Sequence, residues 1–380
     1  MSNSNWRVSV RKDPAEIARL VGVDRADLER SPFQRAQWLE TWFGSFAAAP
    51  SEIYAASIED SRTGEPVFVL PLVVENRGGI VRLKAWDSGV SDYNAPVLSK
   101  NFVPTRDDMK VLWTDLLHAL PKADLLELEK LPSVVGDIGN PLMEVDGLKA
   151  SKFTRHPLPL PADGDFEKFA ATRFNPTHRR TLAKKRKKLQ NKGSLEFALD
   201  SGPEALPTLD RILEWRGNRF AERADPENAA RIGAFYRSLC LHTDIARVGR
   251  LTLDGRLLAG CFGTLTDDTF QLLVVAHDGD FKNWSPGLLA IESSIALLCA
   301  RGVTVYDFTI GDEPYKTDFG VDVEKLYELQ TPLTFKGLAY LRLRAFARRL
   351  RAVARRVVAT TRRRLSRGGE VAASSETPTS

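Results

Sequence analysis

At 380 residues, with 43% hydrophobic and 9% aromatic side chains, the chain has enough apolar material for two ordinary globular domains, which excludes a disordered or low-complexity protein. Its three cysteines (Cys240, Cys261, Cys299) and five histidines are too scattered for a metal site and suit a reducing compartment; with no signal-peptide core and no bilayer-spanning stretch, the expected location is cytoplasmic. The net charge of +5 is local, with eight Lys/Arg and no acid from Arg179 to Lys192 and eleven arginines and no acid from Arg342 to Arg367, so it points to two specific anionic contacts and away from a uniform nucleic-acid-binding surface.

In chain order, a Ser31-Pro32 start predicts a helix over 31–49, with Trp38, Trp42 and Phe46 four residues apart on one face. Strands follow at Ile53–Ile58, Val67–Val74 and Ile80–Ala85, then a loop carrying Asp92 and Tyr93, a helix at Val111–Ala119 and a strand at Leu125–Leu131. The run His156–Pro161 holds three prolines and reads as the link between halves. Beyond it come a helix from about Phe166, a basic helix from Pro176 to Gly193, a strand at Leu195–Ala198 and helices at 204–221 and 226–242. Arg247–Leu253, Leu257–Leu265 and Thr269–Ala276 form a strand meander with a tight Asp254-Gly255 turn. An apolar helix over 286–300 and a strand over 303–309 complete an α+β unit, and the first half repeats this plan loosely.

Chemistry concentrates at two neighbouring places. Ser285-Pro286-Gly287-Leu288 opens the apolar helix with Pro at its first position, so backbone N–H groups there suit a phosphate; an ordinary N-cap before proline is the plain alternative. The run from Val305 starts as that short buried strand, turns on Gly311 and delivers Asp312, Glu313, Tyr315 and Lys316 within five residues. Mid-strand Asp307 needs a partner if buried, for which Arg216 or Arg219 would serve.

The segment from Arg301 to Lys316, with Ser285-Pro286-Gly287, Tyr306-Asp307-Phe308 and Gly311-Asp312-Glu313-Pro314-Tyr315-Lys316, resembles the CelD-like (cellulose-biosynthesis-associated) acetyltransferases of the GNAT superfamily. Ser31-Pro32-Phe33-Gln34, Trp215 with Arg216 and Arg219, and Phe235-Tyr236-Arg237 are similar to further parts of that family, and Lys316-Thr317-Asp318-Phe319-Gly320 is similar to an element of the Fem-type peptidyltransferases. The resemblance implies tandem GNAT-like, Fem-like domains at 1–155 and 156–334; beyond them the residue pattern itself reads as a basic amphipathic helix over 335–366 and a disordered tail over 367–380. The usual glycine-rich pyrophosphate loop of GNAT enzymes is absent, and Asn283-Trp284-Ser285-Pro286-Gly287 stands in its place.

Acetyl-CoA or another acyl-CoA is the implied co-substrate, held at Ser285, Gly287 and Leu288, with no metal. The implied acceptor is an amino or hydroxyl group of a polysaccharide or cell-envelope precursor. Acyl transfer from a thioester needs a base for the acceptor proton and a donor for the leaving thiolate. Asp312 is the candidate base, Tyr315 the candidate acid or orienting group, and Lys316 a cation facing the helix start; a solvated turn and a ring-packed tyrosine are the plain alternatives. Asp92, Tyr93, Arg179, Arg180, Lys184, Arg216, Arg219 and Asp307 are candidate substrate-binding residues. Two other readings stand beside this one: an aminoacyl-tRNA-dependent Fem-like peptidyltransferase, and a non-catalytic adaptor that binds membrane or nucleic acid.

At the C-terminus, Ala339, Leu343, Phe346, Leu350, Val353 and Val357 recur at steps of four and three and share a helical face, with arginines on the flanks. Such a helix, spanning 339–365, suits the surface of an anionic membrane, which would make the protein peripheral to it; packing on its own domain is the alternative.

Overall fold

The computed structural model describes residues 5–22, 25–46, 53–220, 225–348 and 350, without the side chains of 218–220. The first half comprises β1 (Trp6–Arg11), α1 (Pro14–Gly22), β2 (Leu28–Glu29), α2 (Ala36–Phe46), β3 (Ile53–Asp60), β4 (Pro66–Arg77), β5 (Ile80–Ala85), β6 (Val97–Ser99), α3 (Arg106–Ala119) and β7 (Leu125–Leu131). A small hairpin, β8 (Val134–Val135) and β9 (Ile138–Gly139), precedes β10 (Lys149–Pro159). The second half adds α4 (Phe166–Arg173), α5 (Pro176–Gln190), β11 (Leu195–Asp200), α6 (Leu206–Phe220), α7 (Pro226–His242), β12 (Ala246–Leu253), β13 (Arg256–Thr266) and β14 (Thr269–His277). It closes with α8 (Pro286–Ala300), β15 (Val305–Ile310), α9 (Tyr315–Asp318) and β16 (Glu324–Pro332), after which residues 335–348 form α10.

The loose repeat expected between the halves is present as topology. In the first half β3, β4 and β5 form an antiparallel meander and β7 lies parallel to β5. In the second, β12, β13 and β14 do the same and β15 lies parallel to β14. A helix bridges each parallel pair, as parallel strands require. The Asp254-Gly255 turn between β12 and β13 has both residues at positive φ, 48° and 79°, the geometry that matches a hairpin's twist.

The halves are stitched into one 14-stranded sheet, with β16 paired to β7 on one side and β10 on the other, and β10 paired to β15. The run His156–Pro161, expected as a linker, instead runs along the end of β10 and just past it. Its prolines are tolerated because β16 pairs only with Lys149–Arg155, so past that point a missing N–H need not break a ladder on both edges.

One core spans the seam. Trp38, Trp42 and Phe46 of α2 form a cluster with Phe235 and Tyr236 of α7 and Phe262 of β13, and Trp38 meets Phe235 edge-on at 4.9 Å. The predicted aromatic face of α2 therefore fastens the two halves together. Separate clusters fill each half around Phe68, Met109 and Leu126, and around Phe270, Ile295 and Phe308.

Candidate functional site

The site begins where two parallel strands part. β14 and β15 pair only through Thr269–Gln271 and Val305–Asp307. At the fork Thr309 holds φ at 57°, a conformation that a β-branched residue adopts only when its surroundings impose it, and its hydroxyl donates to the Leu272 carbonyl at 3.0 Å. Beyond the fork lies a cavity of about 460 Å³, with Leu272–Val275 on one side, Phe308–Ile310 on the other, and Ser285, Gly287, Leu288, Arg216, Tyr315 and Lys316 around it. Six of the residues singled out in the sequence are thus gathered at one opening.

The start of α8 is uncapped. Ser285 sits at φ 51° and ψ 49° and makes no capping bond; its hydroxyl instead accepts from Lys185 Nζ at 2.6 Å. Pro286 has no N–H, and the Leu288 and Leu289 amides both turn to the Ser285 carbonyl at 3.1 Å. The Gly287 N–H is left without a partner among the described residues. The expectation of several open amides thus narrows to Gly287, with Leu288 lining the cavity while its N–H is engaged. A Cβ on Gly287 would lie 3.5 Å from Val275 and His277, so the missing side chain keeps the cavity open. The equivalent helix of the first half is closed by its own capping box, Thr105 with Asp108, which offers no such opening. Lys282 and His277 also line the cavity, so with Lys185 on Ser285 two ammonium groups stand near the positive end of the α8 dipole.

On the turn after β15, Gly311 adopts φ 113° and Lys316 is only 3% exposed. The Lys316 ammonium donates to the Ile310 carbonyl at 2.8 Å and pairs with Glu313 at 3.1 Å, so it fixes the shape of the turn. Tyr315 is half-buried beside Phe308. Asp312, the expected base, does not line the cavity; it is exposed, and one oxygen accepts from Thr154 Oγ1 at 3.2 Å.

Asp307 is a structural group and does not reach the cavity. It is 1% exposed and accepts from Tyr93 Oη at 2.9 and 3.0 Å, Arg155 Nε at 2.8 Å and the Thr309 N–H at 2.9 Å. Its cationic partner is Arg155 of β10, in place of the expected Arg216 or Arg219; Arg216 lies at the cavity, and the Arg219 side chain falls outside the described residues. Tyr93 is correspondingly buried, and it faces a different, polar hollow shared with Arg155. Burial, reinforced by the charge of Asp307, pushes the Tyr93 phenol well above its usual value.

Asp92 differs from its neighbour. Its surface is only partly covered, yet the surrounding protein desolvates it enough to raise its carboxyl to about 6. Lys130 and the Thr309 hydroxyl oppose that rise, while Asp87 and Asp307 add to it. Lys130 is itself held by Asp87 at 2.6 Å. Through Thr309, Asp92 adjoins the fork of the strands where the halves meet.

The basic helix α5 lies beside α8, with Arg186 pairing with Glu292 at 2.7 Å, and just past α5 Lys192 lies over the ring of Trp284, which precedes α8. Arg179 pairs with Glu167 at 3.3 Å, Arg180 is exposed, and Lys184 lines a shallow surface groove; none of the three lines the cavity. The sequence reading missed Lys185, His277, Lys282 and Thr309. Lys185 was legible only as a member of a charged run, and Thr309 only as a strand residue. Among the described residues no group of His, Cys, Asp or Glu is placed to hold a metal ion.

Residues 176–317, which contain every residue lining the cavity, match the family model described as an acetyltransferase (GNAT) domain. No curated protein matches the chain in sequence. Among solved structures, FemX is similar with a TM-score of 0.54 at 13% identity, covering 83% of this chain and 95% of that one. A tandem GNAT protein from the clavulanic acid biosynthesis pathway (TM-score 0.45, 13% identity, 87% and 99% covered) and L-PGS from Bacillus licheniformis (0.46, 10%, 84% and 97%) are more distant. The fold is α+β with tandem GNAT-like domains, and the forked strands lie in the second.

Proposed function

We propose that the protein is an acyltransferase that moves an acetyl or other acyl group from acyl-CoA to an amino or hydroxyl group of a polysaccharide or cell-envelope precursor. The observation that carries the reading is the cavity between the parted β14 and β15 with the unpartnered Gly287 N–H at its edge. A pyrophosphate meets that amide and the cations Lys185 and Lys282, and the rest of the carrier extends along the strand edge that the fork leaves unpaired. The GNAT match over this segment supports an acyl donor, and the resemblance to CelD-like enzymes supports a polysaccharide acceptor.

Asp92 is the base in this reading, replacing Asp312. The acceptor enters at the junction of the halves, Asp92 takes its proton, and the new N–C or O–C bond forms at the thioester carbon. Backbone N–H groups beside the fork hold the oxyanion; the C–S bond then breaks and Tyr315 protonates the thiolate. Lys316 is a positioning residue that keeps Tyr315 in place.

The FemX-like fold and the exposed lysines of α5 favour a second reading in which aminoacyl-tRNA is the donor. Calorimetric titration decides between them. Saturable binding of acetyl-CoA that charged tRNA does not displace supports the first reading; binding of charged tRNA alone replaces it with the second.

A further inference from the structure

Helix α10 has two faces, and the fold uses one. Lys336 pairs with Asp124 at 3.2 Å, Arg82 donates to Tyr340 Oη at 2.9 Å, and Arg344 pairs with Glu127 at 2.7 Å, which fastens the helix to the first half. Gly337 packs so tightly on the Asp124 backbone that no side chain would fit there. At roughly 100° per residue, Gly337, Tyr340 and Arg344 share one side of the helix, and Phe335, Leu343, Phe346 and Leu350 share another. Those four apolar side chains are 83%, 68%, 61% and 54% exposed. The stripe read from the sequence is therefore not the face that packs on the chain, and Phe335 extends it by a further turn.

Beside the stripe a hollow of about 600 Å³ is lined by Arg77, Arg82, Lys336, Tyr340, Leu343 and Arg344. Arg82 Nε is buried there without a partner, and Leu343 belongs both to the hollow and to the stripe. The sequence continues with arginine and no acid as far as Arg367. No helix among the described residues is long and apolar enough to cross a membrane.

We propose that α10 docks the protein on an anionic lipid bilayer, with Phe335, Leu343, Phe346 and Leu350 entering the acyl-chain boundary and the exposed arginines Arg77, Arg342 and Arg348 meeting lipid phosphates. Nucleic acid would use the arginines and leave four large apolar groups in water. A neutral apolar partner would use the stripe and leave the one-signed charge unmatched. A bilayer rich in phosphatidylglycerol satisfies both, because its phosphates lie one layer above its hydrocarbon.

Co-sedimentation of the full chain with vesicles tests this. The chain is expected to sediment with equal mixtures of phosphatidylglycerol and phosphatidylcholine, to stay in solution with phosphatidylcholine alone, and to lose affinity at high salt. The double variant Leu343→Glu, Phe346→Glu is expected to bind the mixed vesicles at least ~10-fold more weakly, with an unchanged thermal midpoint because both side chains lie outside the packed face. Absence of sedimentation by the parent chain, equal sedimentation by the variant, or salt-sensitive binding of duplex DNA or RNA in place of vesicles would each overturn the proposal.

Discussion

Asp92 and Asp307 lie at the same seam and are handled in opposite ways. Asp307 is enclosed by three donors, among them a guanidinium, which satisfies a buried charge. Asp92 is desolvated with weaker compensation, and its carboxyl is raised to about 6. A base held there is ionised at neutral pH and still close to the working range. Turnover is therefore expected to rise with pH through about 6, and the Asp92→Asn variant to lose both that limb and most of its rate while still binding donor. A pH profile of kcat/KM in both proteins checks this. The same shift has a stability consequence. Folding raises the carboxyl from 3.8, so the folded chain holds the proton more tightly and its stability falls as pH climbs from about 4 through 6. Removing the charge should therefore not destabilise the protein at pH 7. The rise corresponds to at most roughly 3 kcal/mol of relief, readable by urea unfolding, and a less stable Asp92→Asn protein would contradict the assignment.

At the scale of elements, α8 and the parting of β14 from β15 make the cavity, and Gly287 is its narrowest chemical requirement. A Cβ there meets only ordinary contacts with Val275 and His277, so a single methyl group narrows the ligand's space with little cost to the fold. Gly287→Ala is expected to weaken acetyl-CoA binding by ~10-fold or more while shifting stability by no more than about 1 kcal/mol. Calorimetry together with thermal unfolding separates those two effects. Strong local patterns made most elements legible: the apolar run of α8, the bounded strands Ile80–Ala85 and Leu125–Leu131, and the Asp254-Gly255 turn each specify themselves within a few residues. β10 and β16 were not legible, because what makes them strands is their partners. Tyr327 pairs with Leu131 and Pro157 with Asp307, and no local periodicity encodes pairings that distant. For the same reason the cluster of Ser285, Gly287, Tyr315 and Lys316 could be anticipated, whereas the Arg155–Asp307 pair could not.

At the scale of the molecule, the two halves share a topology and differ in their openings. The first closes its bridging helix with Thr105 and Asp108, and the second leaves Gly287 open beside Lys185 and Lys282. The seam built from Trp38, Trp42, Phe235 and Tyr236 joins the halves, and Asp92 of the first reaches Thr309 of the second, a residue that lines the cavity, so neither half alone carries the whole proposed site. Amide hydrogen exchange of the full chain, with and without saturating acetyl-CoA, tests this arrangement most directly. The account predicts slowed exchange in the segment 285–289 and in the 308–316 turn, with the start of α3 unchanged. Donor binding that leaves 285–289 unaffected, or that protects the first half's helix start instead, would contradict it.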